Sequence, residues 1–164
     1  HPLHPRSIVH AIGISAIATG SKDLPAGGDD VLSEKGCTVF VVDDDESIRK
    51  ALKRLLRAHG YNVITFESAE AFLSSGWRGT EGCVIVDMRL PGMSGQELYQ
   101  ELLSTPCMYP VIFMTAHDTP QWREWVLKSK AVAYLRKPFD QQMLLDALHL
   151  AATRKRSARA STGH

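Results

Sequence analysis

Cysteine is scarce in this sequence. The three cysteines among 164 residues, Cys37, Cys83 and Cys107, include no pair at CxxC spacing. An odd number of widely separated thiols argues against a disulfide-stabilised secreted fold. We therefore expect reduced thiols and a cytoplasmic location.

The sequence also lacks a long apolar run and an excess of charge of one sign. No uninterrupted hydrophobic stretch approaches the ~18 residues that span a bilayer, so we expect no membrane segment. The net charge of +1 comes from 19 basic and 18 acidic side chains, which gives no overall reason to expect binding to nucleic acid or a membrane surface. Apolar residues make up 44% of the chain, and this ordinary share predicts a folded domain.

Composition divides the chain into an extension, a body and a tail. Residues 1–36 contain an apolar patch, Ile8–Ala18, which resembles a secretory signal, but only Arg6 precedes it and no clean cleavage site follows. We therefore predict a loosely ordered N-terminal extension. Residues 153–164 carry four basic and no acidic side chains, which predicts a basic C-terminal tail or the start of a linker. The body, residues 37–152, holds the regular patterns.

Short β-branched runs alternate with helical patterns along the body. Apolar runs without polar alternation predict strands buried on both faces, here Thr38–Val42, Asn62–Phe66, Cys83–Asp87, Val111–Thr115 and Ala131–Leu135. A helical pattern follows each run, with starts indicated by Asp45, Ser68, Gly95, Thr119 and Asp140. Five β–α units predict an α/β fold in which helices cover both faces of a parallel sheet.

Polar residues follow the carboxyl ends of four predicted strands. Asp43 and Asp44 end the first, Asp87 the third and Thr115 the fourth, and Lys137 lies just past the fifth. These strand ends meet at one edge of a parallel sheet, where ligands bind. Clustered carboxylates raise one another's pKa unless a cation lies among them, and Mg²⁺ is the cation that best suits oxygen ligands with several waters.

This set of residues predicts phosphoryl transfer onto a carboxylate. Asp87 precedes no helix for about seven residues, so helix capping does not explain it, whereas Asp45 is a natural cap. Asp87 would attack phosphorus as the nucleophile. The metal and Lys137 would neutralise charge on the phosphoryl oxygens, and Thr115 would donate a hydrogen bond to one of them.

The sequence resembles the receiver domains of two-component response regulators, and among them the FixJ-like subgroup. The matching stretches are VVDDDESIRKALKRLL, FESAEAFL, VIVDMRLPGMSGQEL, PVIFMTAH and YLRKPF. They occur in the family order over residues 37–152, with 44 residues from Asp43 to Asp87, 28 to Thr115 and 22 to Lys137. The resemblance implies a flavodoxin-like doubly wound sheet of five strands in the order 2-1-3-4-5, with five helices in a three-layer arrangement.

The resemblance also assigns roles to the residues at the sheet edge. It implies that Asp43 and Asp44 hold Mg²⁺ or Mn²⁺, with Asp44 the more direct ligand, and that the Arg89 carbonyl completes the metal shell. Asp87 would be the phosphoacceptor and Lys137 the phosphate-binding lysine, with a cis bond to Pro138.

The resemblance further implies a switch and its partners. Thr115 would be the switch hydroxyl, and Tyr134 the aromatic that rotates on activation. Phosphohistidine on a histidine kinase or a histidine phosphotransfer protein would be the donor. The output would be a changed surface on the fourth helix, fifth strand and fifth helix, a face that could also form a homodimer. Catalysis would be limited to the domain's own phosphorylation and dephosphorylation.

The fourth helix departs from the family pattern. Lys130 stands where glycine is expected, and a positive φ there would strain the backbone. Trp122 and Trp125 form either a partner surface or a cover over the edge of the fourth strand, and the sequence leaves both readings open. Arg89 and His117 lie two residues beyond Asp87 and Thr115, where the family tunes dephosphorylation.

Two other readings remain at this point. A haloacid-dehalogenase-like Mg²⁺ phosphatase also forms an aspartyl-phosphate, and Asp43, Asp45 and Ser47 imitate its first motif. That reading leaves Asp87 without a role. A pseudo-receiver would keep the fold as a binding module without phosphate chemistry.

Overall fold

The computed structural model describes residues 37–76, 81–105 and 109–162, with side chains described as far as Arg154. The predicted N-terminal extension, residues 1–36, and one of the three cysteines, Cys107, lie outside the described residues.

Five parallel strands form one sheet in the order β2-β1-β3-β4-β5. The strands are β1 Thr38–Val42, β2 Asn62–Phe66, β3 Gly82–Asp87, β4 Val111–Thr115 and β5 Ala133–Arg136. This order confirms the flavodoxin-like topology that the family resemblance implies. The last strand starts at Ala133, two residues later than predicted. Ala131 and Val132 precede the strand and lead into the sheet, and the Val132 amide donates to the Val111 carbonyl at 2.8 Å.

Within the described ranges, five helices connect and flank the strands. They are α1 Glu46–Ala58, α2 Ala69–Leu73, α3 Gly95–Leu103, α4 Pro120–Lys128 and α5 Gln141–Thr162. Asp45, Ser68 and Thr119 cap their helices as predicted, each accepting a hydrogen bond from a first-turn amide. Before α3, Ser94 and Glu97 form a reciprocal capping box.

The last helix continues into the basic tail. The backbone from Thr153 to Thr162 belongs to α5, although the composition of this stretch suggested a tail or linker. Residues 141–162 contain neither glycine nor proline, so nothing in the chain interrupts the helix. The tail therefore leaves the domain as a continuation of α5.

The core lies on both faces of the sheet. All residues of β3 and β4 are buried, as uninterrupted apolar runs predict. On one face Phe72 of α2 packs against Phe40 with ring centroids 5.3 Å apart. On the opposite face Leu148 of α5 lies with Cys83 around a small apolar cavity. The buried position predicted for Cys83 is confirmed.

Two backbone predictions have opposite outcomes. The strain predicted at Lys130 is wrong, because no described residue other than glycine has a positive φ. The chain leaves α4 through an extended Ser129 instead, and the Lys130 amide donates to the Tyr99 hydroxyl at 2.7 Å. The Lys137–Pro138 peptide bond is cis, as the family resemblance implies.

Among the helices of the described part of the chain, none combines the length and the apolar character needed to cross a membrane.

Candidate functional site

The side chain of Asp43 is buried where β1 ends. Its Oδ1 accepts a hydrogen bond from the Asp45 amide at 2.9 Å, so the turn into α1 orients the carboxylate. On the same turn, Nη1 of Arg49 donates to the Asp43 carbonyl oxygen at 2.8 Å. The first turn of α1 thus holds this carboxylate at the carboxyl edge of the sheet.

Asp87, the last residue of β3, is held by its own loop. Its Oδ1 accepts from the Arg89 amide at 2.9 Å, which leaves Oδ2 to face the neighbouring strands. The carboxylate is only slightly exposed, with 10% of its side-chain surface accessible. It is therefore desolvated on most sides and reachable from one.

Lys137 joins the two carboxylates. Its Nζ lies 2.8 Å from Oδ2 of Asp43 and 2.8 Å from Oδ2 of Asp87. The lysine follows β5, and its amide donates to the Thr115 carbonyl at 2.7 Å. Three separate strand ends therefore deliver their functional groups to one point, as the sequence predicted for a parallel sheet.

An exposed third carboxylate completes the acidic cluster. Asp43, Asp44 and Asp87 each place one carboxylate oxygen within 4.8 Å of an oxygen of the other two. These carboxylates line an open cleft together with Asp45, Arg89, Ala116, His117 and Lys137. The cleft thus gives solvent and ligands a route to the Asp87 carboxylate.

The charge of the cluster is not balanced by the lysine alone. Burial raises the pKa of Asp43, although the hydrogen bond from Lys137 opposes the shift. Burial also lowers the pKa of Lys137, but its hydrogen bonds to the two carboxylates outweigh that effect and leave the pKa raised. One ammonium group shared by two buried carboxylates beside a third favours a further cation.

The donor set fits a hard divalent metal ion. Carboxylate oxygens are the ligands that Mg²⁺ prefers, and Mg²⁺ is usually held by one or two carboxylates with several waters retained. Asp44 is solvent-exposed and so can contribute an oxygen without further desolvation. The residues present therefore match the metal that the sequence predicted.

Thr115 lies at the end of β4 beside the cleft. The residue is fully buried, and its Oγ1 accepts from the His117 amide at 3.0 Å. The hydroxyl therefore anchors the first residues of the loop after β4. His117 itself and Arg89 are exposed at the cleft, the places at which the family resemblance assigns them a tuning role.

Residues 39–149 match the family of response regulator receiver domains. The chain belongs to that family. This receiver domain is similar to the transcriptional regulatory protein TdiR of Thauera aromatica, with 41% identity over 70% of the chain and 50% of the relative. It is also similar to the transcriptional regulatory protein FixJ of Azorhizobium caulinodans, with 38% identity over 71% of the chain and 55% of the relative.

Solved structures agree with this assignment. The structure titled FixJ-N has 34% identity and a TM-score of 0.64, covering 72% of this chain and 94% of that one. The response regulator StyR has 42% identity and a TM-score of 0.66, covering 77% of this chain and 65% of that one. The chain spans about half to three fifths of the length of the curated relatives it matches. Family membership also removes the main support for the phosphatase reading.

Tyr134, a residue of β5, is buried beside the loop after β4. Only 1% of the residue is exposed, and its hydroxyl donates to Oδ1 of Asp118 at 3.0 Å. Burial raises the pKa of Tyr134 above its ordinary range, and the Asp118 carboxylate raises it further. The ring is therefore held inward as a neutral phenol. Its predicted rotation stays a prediction.

The two tryptophans of α4 are both half-buried and pack against the core. The ring of Trp125 meets Tyr99 at a centroid distance of 5.4 Å and Phe113 at 5.5 Å, both edge to face. This packing gives Trp125 the covering role that was one of the two readings. The partner surface at Trp122 and Trp125 stays a prediction.

Sequence reasoning missed several residues that support the site. The Asp118 carboxylate accepts from the Tyr134 hydroxyl and pairs with Arg123, and Glu70 of α2 accepts from the Met93 amide at 2.8 Å. A side chain at Gly95 would overlap the carbonyl oxygen of Asp87. Arg123 and its partner Asp118 are five residues apart, a spacing that no strand or helix period indicates.

Proposed function

We propose that this receiver domain accepts a phosphoryl group on Asp87 as one step of a two-component phosphorelay. The observation that carries the proposal is the Lys137 ammonium, 2.8 Å from the carboxylate oxygens of both Asp43 and Asp87 at the floor of an open cleft. A desolvated carboxylate next to a fixed cation, with solvent on one side, suits attack on phosphorus.

The donor in this proposal is phosphohistidine on a histidine kinase or a histidine phosphotransfer protein. An oxygen of Asp87 attacks phosphorus, the P–O bond forms as the P–N bond breaks, and the donor imidazole leaves with the bonding electron pair and takes up a proton. Lys137 stays within reach of Asp87 and neutralises charge on the transferred group. Thr115 turns its hydroxyl from the His117 amide to a phosphoryl oxygen.

Mg²⁺, or Mn²⁺ in its place, would be held by Asp43, Asp44 and Asp87 with the Arg89 carbonyl. When bound, the ion neutralises negative charge on the phosphoryl oxygens. The chain's own contribution is to orient two of the three carboxylates, through the Asp45 amide at Asp43 and the Arg89 amide at Asp87.

The consequence of phosphorylation is a change of surface rather than turnover of a substrate. The added group brings about −1.5 to −2 charge next to three carboxylates, and the surface of α4, β5 and α5 responds. Chemistry beyond this is the loss of the phosphoryl group to water, at a rate tuned by Arg89 and His117. We place the domain in the cytoplasm, where such kinases have their phosphohistidine.

Intact mass spectrometry after incubation with acetyl phosphate and Mg²⁺ tests the proposal. We expect an adduct of about 80 Da, one phosphoryl group, on the unaltered chain and none on Asp87→Asn. Asp146→Asn, a charge-matched change on α5, should be labelled normally. Labelling that persists in Asp87→Asn would favour phosphatase-like chemistry at another aspartate. No adduct on the unaltered chain with acetyl phosphate or a phosphohistidine donor would favour a pseudo-receiver.

A further inference from the structure

The carboxylate that fixes Tyr134 is itself buried. Asp118 lies in the loop between β4 and α4, and 7% of its side-chain surface is exposed. Its Oδ1 accepts from the Tyr134 hydroxyl at 3.0 Å. A carboxylate in such a place requires compensation, because burying an unpaired charge is costly.

The compensating charge comes from α4. Nε of Arg123 lies 3.3 Å from the same Oδ1 of Asp118. That nitrogen is buried and has no hydrogen-bond partner of good geometry among the described residues. It therefore contacts the loop through the ion pair with Asp118. A guanidinium group keeps its charge at every working pH. Tyr134, Asp118 and Arg123 thus form one chain of contacts from β5 through the loop to α4.

The other end of the same loop is anchored at the cleft. The amide of His117, the residue before Asp118, donates to Oγ1 of Thr115 at 3.0 Å. Thr119, the residue after Asp118, caps α4 by accepting from the Trp122 amide at 3.1 Å. A turn of the Thr115 hydroxyl towards a phosphoryl oxygen would release His117, one residue from the carboxylate that holds Tyr134.

We propose that Asp118 and Arg123 are positioning residues that keep Tyr134 buried in the unphosphorylated domain and link its orientation to Thr115. The proposal deepens the function proposed above, and its second half, the link to Thr115, rests on that function. In this chain, the ion pair therefore ties the start of α4 to the tyrosine.

Fluorine NMR of the full chain with 3-fluorotyrosine tests the first half without any phosphorylation. The chain has four tyrosines, and Tyr134→Phe identifies the resonance of Tyr134. In the unaltered chain we expect that resonance to be insensitive to replacement of H₂O by D₂O. In Asp118→Ala the Tyr134 resonance should shift and become sensitive to the solvent. The population of the buried ring relative to the exposed ring should fall about tenfold, because the tyrosine loses one hydrogen bond to a charged group.

Three further variants separate positioning from simple loss of stability. Arg123→Ala should shift the Tyr134 resonance in the same direction as Asp118→Ala. Asp118→Asn keeps an oxygen for the tyrosine hydroxyl and should restore part of the protection. Lys128→Ala removes the exposed ion pair with Glu124 on the same helix and should leave the resonance unchanged. A Tyr134 ring as protected in folded Asp118→Ala as in the unaltered chain would overturn the proposal.

Acetyl phosphate with Mg²⁺ tests the second half on the same samples. Where mass spectrometry shows the adduct on Asp87, we expect the Tyr134 resonance to shift in the unaltered chain and the shift to be lost in Asp118→Ala. Equal shifts in both proteins would overturn the link to Thr115. An absent adduct would overturn the proposed function and this link together, and the comparison without phosphate would still decide whether Asp118 and Arg123 position Tyr134.

Discussion

At the scale of single residues, the electrostatic balance of the cleft depends on one lysine. Lys137 donates to Asp43 and Asp87 at equal distances, and a third carboxylate, on Asp44, lies beside them. Because Asp43 is buried, its pKa is raised even with the lysine present. Without a metal ion, the ionised cluster therefore lowers the stability of the folded domain.

We predict that Asp43→Asn stabilises the metal-free domain at neutral pH. The pKa of Asp43 in the folded state is above its ordinary value of 3.8, so protonation of this carboxyl favours the folded state. The stability that Asp43 contributes in this way is complete below pH 3.8 and is lost as the pH rises through the folded-state pKa. The asparagine should therefore raise the free energy of unfolding at pH 7, because it removes a buried negative charge and keeps an oxygen for Lys137. Urea unfolding of both proteins at pH 7, with EDTA to remove metal ions, measures this difference in the free energy of unfolding.

The gain from Asp43→Asn should shrink as the pH falls towards 3.8, where the aspartate of the unaltered chain is increasingly protonated. We expect Mg²⁺ to raise the melting temperature of the unaltered chain, and the same variant should lose that rise. Asp146→Asn serves as the control for both measurements. A variant less stable than the unaltered chain at pH 7 would show that the bond to Lys137 outweighs the burial of Asp43.

At the scale of elements, α3 starts in contact with β3, the strand that carries Asp87. The Gly95 amide donates to the Met88 carbonyl at 3.2 Å, and there is no room for a Cβ against the Asp87 carbonyl oxygen. The position of α3 and the position of Asp87 are therefore linked by backbone contact.

We predict that Gly95→Ala pushes α3 away from β3 and lowers the free energy of unfolding by about 1–3 kcal/mol, the usual effect of overpacking. It should also slow the labelling of Asp87 by acetyl phosphate. Gly76→Ala is the control, since Gly76 has a positive φ but open space around it, so it strains the backbone without touching the cleft. Equal labelling rates in the two variants would contradict the prediction.

The loop after β3 is also held from α2. Glu70 accepts from the Met93 amide, and this hydrogen bond is the main cause of the lowered pKa of Glu70. Since the pKa is lowered, the contribution of Glu70 is present above its ordinary value of 4.5 and is lost as pH falls through the folded-state pKa.

We predict that Glu70→Ala raises the hydrogen-exchange rate of the Met93 amide roughly tenfold at pH 7. Glu70→Gln keeps an acceptor oxygen and should raise the rate much less. In the unaltered chain, protection of this amide should fall below pH 4.5 relative to that of amides in β3. Native-state hydrogen exchange followed by NMR measures all three, and equal protection in both variants would refute the role of Glu70.

At the scale of the whole molecule, the buried core runs from Val39 to Ala151. Arg154 lies just beyond it and donates to the Ala131 carbonyl at 3.2 Å, which fixes α5 to the approach to β5. The buried core residues that the structure describes and the residues that line the cleft therefore lie between Val39 and Ala151.

We predict that residues 37–154 alone fold in one cooperative transition, with a free energy of unfolding within about 1 kcal/mol of the full chain. Their labelling by acetyl phosphate should also be unchanged. A shorter piece, residues 37–145, loses buried Ala147, Leu148 and Ala151 and should not fold stably. Thermal unfolding followed by circular dichroism compares the three, and a large loss in 37–154 would assign a stabilising role to the flanking segments.

The sequence by itself determined the sheet, the caps and the residues at the carboxyl edge. Those features depend on local patterns, namely apolar runs for buried strands and an acceptor side chain before each helix. Parallel topology then brings the strand ends to one edge. Asp43, Asp87 and Lys137 could be grouped on that basis, although 94 residues separate Asp43 from Lys137.

Only the tertiary structure decided which side chains support that group. Tyr134 and Asp118 are 16 residues apart, Glu70 and Met93 are 23 apart, and neither pair follows a strand or helix period. The turn after α4 likewise needed no positive φ at Lys130. Such pairings depend on where loops and helix ends come to lie once the core has packed, and no pattern of neighbouring residues encodes that.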